Sequence, residues 1–296
     1  MSNFFNLNVL YNLMLSEKVK LKIEKIILII GMISFIVHLL IIYLKRYGLI
    51  SLFEESNFFD NPIAAIYTPF SFILVYEVYL LIFYLPRSIT TYITKQYEII
   101  TLIVIRRIFK DLSNLELSSD WFVIKNDLDF TYDIVTAILL FFMIYLFSFL
   151  RESLDGSSLK NSLDLPQIKQ FIKIKKLMAT ALVPIFILIG LFTFSGWVTT
   201  TIPSNISAVI KDVNSLFFDE FFSVLIIVDV LLLLVSFFYT DKFHKVIRNS
   251  GFIISTILIR MSFTVEGVLN NILIMASIVF GLGILWIHNK FVMNLK

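Results

Sequence analysis

The chain has 296 residues, of which 58% are hydrophobic and 16% charged, with mean hydropathy +0.88 and net charge +3. An ordinary soluble domain carries roughly 25% charged residues to clothe its core, so this composition excludes soluble, disordered and nucleic-acid-binding classes. Cysteine is absent, which removes disulfides, thiolate metal centres and thiol catalysis.

Residues 1–24 form a cytoplasmic amphipathic lead, in which 3–15 (NFFNLNVLYNLML) suits a helix lying on the inner leaflet, with a frayed tail as the alternative. A membrane-crossing helix needs ~20 mostly apolar residues. Charge-poor runs of that kind occur at 25–44, 66–85, 131–150, 177–197, 221–239 and 268–288. His38, in the first run, reads as a bonded core residue. Pro184 sits in the fifth run, and Gly281 and Gly283 in the last, where they permit close helix contact. Two further segments, 97–112 and 250–266, are apolar at first and then carry arginine. Taken alone, each is half a span or an interfacial helix.

Charge placement decides the count. With eight spans and the N-terminus inside, 17 basic residues fall on inner segments and five on outer ones. That is the bias of the positive-inside rule. Laying both doubtful segments flat would put the basic stretch 151–176 and the acidic stretch 113–130 on the wrong sides. The expected fold is therefore an all-α integral membrane protein of eight transmembrane helices, with both termini cytoplasmic. The Ile-, Phe- and Lys-rich usage points to a bacterial cytoplasmic membrane.

The two halves resemble each other. Residues 98–109 (EIITLIVIRRIF) and 252–263 (FIISTILIRMSF) are identical at six of twelve positions, pairing Arg106 with Arg260 and Phe109 with Phe263. One helix earlier, 70–81 (FSFILVYEVYLL) aligns with 222–233 (FSVLIIVDVLLL), so Glu77 falls on Asp229. An even number of spans per unit gives both the same orientation, a parallel repeat. The organisation expected is a four-helix repeat over 25–150, a basic cytoplasmic linker over 151–173 and a second four-helix repeat over 174–296.

Five charges lie within the apolar runs: Glu77, Arg106, Arg107, Asp229 and Arg260. Facing lipid unpaired, each would cost from ~2.5 to above 10 kcal/mol. At ~1.5 Å per residue, Glu77 and Arg106 lie ~12 and ~14 Å from the inner ends of their helices, and Asp229 and Arg260 each ~15 Å. Acid can therefore meet arginine at equal depth in each half. Arg107 is left over, because Met261 stands at its counterpart.

Three roles fit such pairs: fixing helix register, lining a path for ions or a small solute, or sensing voltage. The last is the loosest, since voltage-sensing arginines recur every third residue. The outer segments hold thirteen acidic residues against five basic ones, a field that would gather cations. Exclusion of basic residues from that side explains the same bias. No nucleotide-binding, hydrolase or metalloprotease motif occurs, and three scattered histidines do not make a metal centre. The expectation is a non-enzyme without cofactor or metal: an ion channel or small-solute transporter handling cations or protons. The alternative is a non-transporting scaffold or sensor, self-associating or held in a membrane complex. In that case Lys169, Lys173, Lys175 and Lys176 would bind a partner or anionic lipid.

Overall fold

A computed structural model describes residues 7–49, 62–112, 115, 125–158, 166–201, 213–239, 242–265 and 267–294. Among the described residues there are nine α-helices and no strand. They are α1 (Leu7–Leu15), α2 (Glu17–Arg46), α3 (Tyr67–Tyr84), α4 (Ile89–Leu112), α5 (Lys125–Ser158), α6 (Pro166–Thr201), α7 (Val213–Phe238), α8 (Phe243–Ser262) and α9 (Val268–Asn294). A 3-10 turn, Pro62–Ile66, leads into α3.

Among the described residues, five helical stretches are long and apolar enough to cross a membrane: Leu7–Arg46, Asp127–Glu152, Lys169–Thr193, Glu220–Phe238 and Val268–Asn294. Thr68–Tyr84 is apolar but shorter. The two arginine-bearing helices, α4 and α8, are not in this group, because their polar residues lower the hydropathy. Those polar residues point inward. Thr94, Gln96, Thr101 and Arg106 of α4 are buried, as are Asn249, Ser255, Thr256 and Arg260 of α8. The outside is apolar instead: Met32, Ile36 and Leu40 of α2, Phe141 and Tyr145 of α5, and Phe192 of α6 are all exposed. A solvent of lipid tails demands this inverted distribution, with polar groups turned to protein.

Within each half, consecutive helices pack on one another: α2 on α3, α3 on α4 and α4 on α5, then α6 on α7, α7 on α8 and α8 on α9. The halves meet where α5 packs on α9, α4 on α8 and α3 on α6. His38 joins α2 to α3, its Nδ1 lying 2.5 Å from Thr68 Oγ1.

Residues 7–15 are helical rather than frayed. Ser16 is extended (φ −84°, ψ 156°), and its hydroxyl accepts from the Val19 amide at 3.4 Å, so α2 starts afresh. Tyr79 donates to the Met14 carbonyl at 3.0 Å, and Lys176 lies 4.9 Å from the Tyr11 ring centre, tying α1 to α3 and α6. Val9 and Leu13 remain 62% and 68% exposed, an apolar face suited to a bilayer surface.

One local expectation needs correction, and others fall partly outside the described residues. Helix occupies both ends of the 151–173 stretch, since α5 runs to Ser158 and α6 begins at Pro166; residues 159–165 lie outside the described residues. So do most of the acidic outer positions, among them Glu54, Asp120 and Asp212. Gly281 does sit at a close contact, but a Cβ on Gly283 would meet nothing within 4 Å. Pro184 lies inside α6.

Candidate functional site

Each half brings its acid to its arginine. In the second, Asp229 of α7 is fully buried, and its Oδ2 lies 2.7 Å from Arg260 Nη2 of α8. Thr256 of α8 donates to the same carboxylate at 3.4 Å. The remaining partners come from α4, in the other half. Tyr92 donates to Asp229 Oδ1 at 3.0 Å, and Arg260 Nη2 donates to Gln96 Oε1 at 3.2 Å. Both carboxylate oxygens are thus engaged. Tyr92 and Gln96 are four residues apart, one turn on one face of α4, which is why they reach neighbouring ends of the same ion pair.

In the first half, Glu77 of α3 and Arg106 of α4 are both buried, but Glu77 Oε2 stands 3.8 Å from Arg106 Nη1. That separation exceeds a hydrogen bond, and Glu77 Oε2 makes none. The two halves therefore hold an acid–arginine pair at aligned positions, one tightly bonded and one loose.

An aromatic contact also recurs. Phe70 stacks on Phe109 with centroids 4.7 Å apart, and Phe222 stacks on Phe263 at 5.6 Å. These four residues occupy the aligned positions of 70–81 with 222–233 and of 98–109 with 252–263.

Arg107 is not left over. Its guanidinium grips Asp133 of α5 through Nε and through Nη2, the latter at 2.8 Å from Oδ1. It also donates to Asn270 Oδ1 at 3.1 Å and to Asn271 Oδ1. Asn271 Nδ2 returns a bond to Asp133 Oδ1 at 2.6 Å. This network ties α4 and α5 to the start of α9. Sequence reasoning missed Asp133 by assigning it to the outer segments, although it stands at the third position of the run 131–150. It missed Asn270 and Asn271 because neutral amides at a helix start resemble capping residues.

The four candidate lysines divide. Lys169 and Lys173 are exposed and Lys176 is half-buried. Lys175 is buried, donates to the Arg87 carbonyl and lies 5.1 Å from the Phe171 ring centre. It therefore joins α6 to the α3–α4 turn and offers no charge to a ligand at the surface. His288 is also buried and bonded. Known protein families, curated proteins and solved structures contain no significant match to this chain.

Proposed function

We propose that the chain is an ion channel or small-solute transporter that crosses the membrane eight times, as two parallel four-helix repeats, and that Glu77 contacts the permeating cation or proton. One observation carries this reading: Glu77 is buried beside an arginine yet keeps a carboxylate oxygen free of hydrogen bonds. A carboxylate so held can take up a proton or cation without first breaking a network, whereas Asp229 would have to give up Tyr92, Thr256 and Arg260. Arg106, at 3.8 Å, would bias the charge state of Glu77. The recurring ion pair and the recurring aromatic stack support the parallel repeat. The burial of the polar faces of α4 and α8 supports their crossing as central helices rather than lying flat.

In liposomes under an imposed ion gradient, the purified protein is expected to conduct flux. A Glu77→Gln variant is expected to lose most of that flux while unfolding at the wild-type temperature. Equal flux in wild type and variant would remove Glu77 from the path.

The topology has its own test. The native chain lacks cysteine, so single reporters are clean. Lys18→Cys and Lys173→Cys are expected to react with an impermeant thiol reagent only from the cytoplasmic side of a bacterial cell membrane. Opposite-side labelling of the two would reduce the first half to an odd number of spans.

A second reading, a non-transporting scaffold or sensor subunit, is favoured by the complete bonding of Asp229 and by the exposed Lys169 and Lys173. It predicts no flux, together with co-purification of a membrane partner or a second copy.

A further inference from the structure

Among the described residues, the cations gathered at one end of α8 and α9 have no acidic partner. Lys242, His244, Lys245 and Arg248 occupy the start of α8, and His288 lies in the last turns of α9. His288 Nε2 stands 3.3 Å from Arg248 Nη1, and its Nδ1 stands 3.2 Å from the His244 carbonyl. The His244 and His288 rings are 5.3 Å apart, and His244 also stacks on Phe291. Arg248 places Nε and Nη2 on Asn249 Oδ1 at 3.3 and 3.0 Å. Its partners are a neutral amide and an imidazole. Among the described residues, no carboxylate pairs with any member of this group.

The group repels itself. Burial lowers the pKa of Arg248 to about 10. Burial, with Lys245, Lys242 and Arg248 nearby, also lowers that of His244. Burial, Lys242 and Arg248 do the same to Lys245. The helix adds to the repulsion, because α8 begins here with no acidic residue in its first turn and no side-chain cap. A helix start carries partial positive charge and disfavours cations.

The aligned helix start lacks these charges. In the alignment that pairs Arg106 with Arg260, the corresponding start of α4 carries Ser88, Thr90, Thr91 and Thr94. There Ser88 Oγ accepts from the Thr91 amide at 3.2 Å, and Thr94 Oγ1 accepts from Arg151 at 3.4 Å. One helix start is built from hydroxyls. The other is built from cations where α8 packs on α9.

We propose that this end of α8 and α9 binds a phosphate group, held by Lys242, Lys245 and Arg248 at the positive end of α8, with His288 positioning the Arg248 guanidinium. Several cations converging beside a helix start match a compact multivalent oxyanion. The phosphate belongs to a lipid headgroup or to a soluble phosphate compound. Phe243 and Trp286, 70% and 53% exposed at the same end, would suit acyl chains beside a headgroup.

The test uses the full-length protein in zwitterionic nanodiscs. Thermal unfolding and binding are measured with inorganic phosphate, against chloride at matched ionic strength, and with phosphatidylglycerol added to the bilayer. At least one probe is expected to raise the unfolding temperature. A Lys242→Gln/Lys245→Gln variant, altered only at exposed side chains, is expected to bind about tenfold or more weakly. Its ligand-free unfolding should be unchanged, and Lys169→Gln/Lys173→Gln should bind as wild type. Stabilisation by phosphatidylglycerol alone assigns a lipid headgroup, and stabilisation by inorganic phosphate assigns a soluble one. No response to either probe, or equal weakening in both double variants, would overturn the proposal.

Discussion

An Arg260→Met variant is expected to lose about 3–5 kcal/mol of stability, measured by denaturant titration in mixed micelles. Asp229 is fully buried, and its charge is balanced by this one guanidinium at 2.7 Å. Removing the arginine leaves a carboxylate among apolar helices with only the Tyr92 and Thr256 hydroxyls to solvate it. Gln96 loses its bond at the same time. Asp229→Asn is expected to cost less, about 1–3 kcal/mol, since the amide oxygen still accepts from Arg260 and the Tyr92 hydroxyl can turn to accept from the new NH2. The double variant Asp229→Leu/Arg260→Met is expected to recover most of the loss, because an apolar pair removes both desolvation penalties. If the single and double variants unfold together, the two charges are not coupled. The same cycle at Glu77 and Arg106 should give a smaller coupling, as the 3.8 Å separation implies. A stability cycle and a flux measurement thus separate a structural pair from a working one.

Gly281→Ala is expected to destabilise by about 1–3 kcal/mol, the usual cost of overpacking a tight core. A Cβ there would lie 2.0 Å from Tyr97 Oη and 3.2 Å from Ser255 Oγ. Neither neighbour yields easily. Tyr97 is fully buried and shares a hydrogen bond of 2.7 Å with Ser255, which donates to the Ser277 carbonyl at 2.6 Å. The Tyr97 ring also meets Phe147 edge-on at 5.1 Å. Tyr97→Phe removes the oxygen in the way, leaving the ring carbon at 3.1 Å, so Tyr97→Phe/Gly281→Ala should regain part of the loss. Gly283→Ala, two residues on, faces open space and should be neutral or stabilising by up to about 1 kcal/mol. Equal effects at the two glycines would contradict the seating of the Tyr97 side chain against Gly281. The comparison is internal to one helix, so differences in insertion or expression do not confound it.

Much of the architecture is legible without coordinates, because hydropathy and helical length are local properties. The apolar runs, the all-helical class and the inward turn of the polar helices follow from what lipid tails permit. The order of acid then arginine, repeated after 152 and 154 residues, also stands in the sequence itself. The partners of those charges do not. Tyr92 reaches Asp229 across 137 positions, Gln96 reaches Arg260 across 164, and Arg107 finds Asn271 across 164. Nothing in a local pattern says which helix of one half inserts among those of the other, or how far each is rotated about its axis.

Length, hydropathy and charge bias by themselves determined the medium this protein occupies, its helical class and which charges had to be sheltered. Tertiary packing alone decided that Asp229 is locked while Glu77 is loosely held. It also turned Lys175 inward and gave Arg107 an aspartate. The reason is physical: hydrophobic transfer depends on each segment's own composition, whereas an ion pair depends on ångström-scale distances between groups that only the assembled bundle brings together.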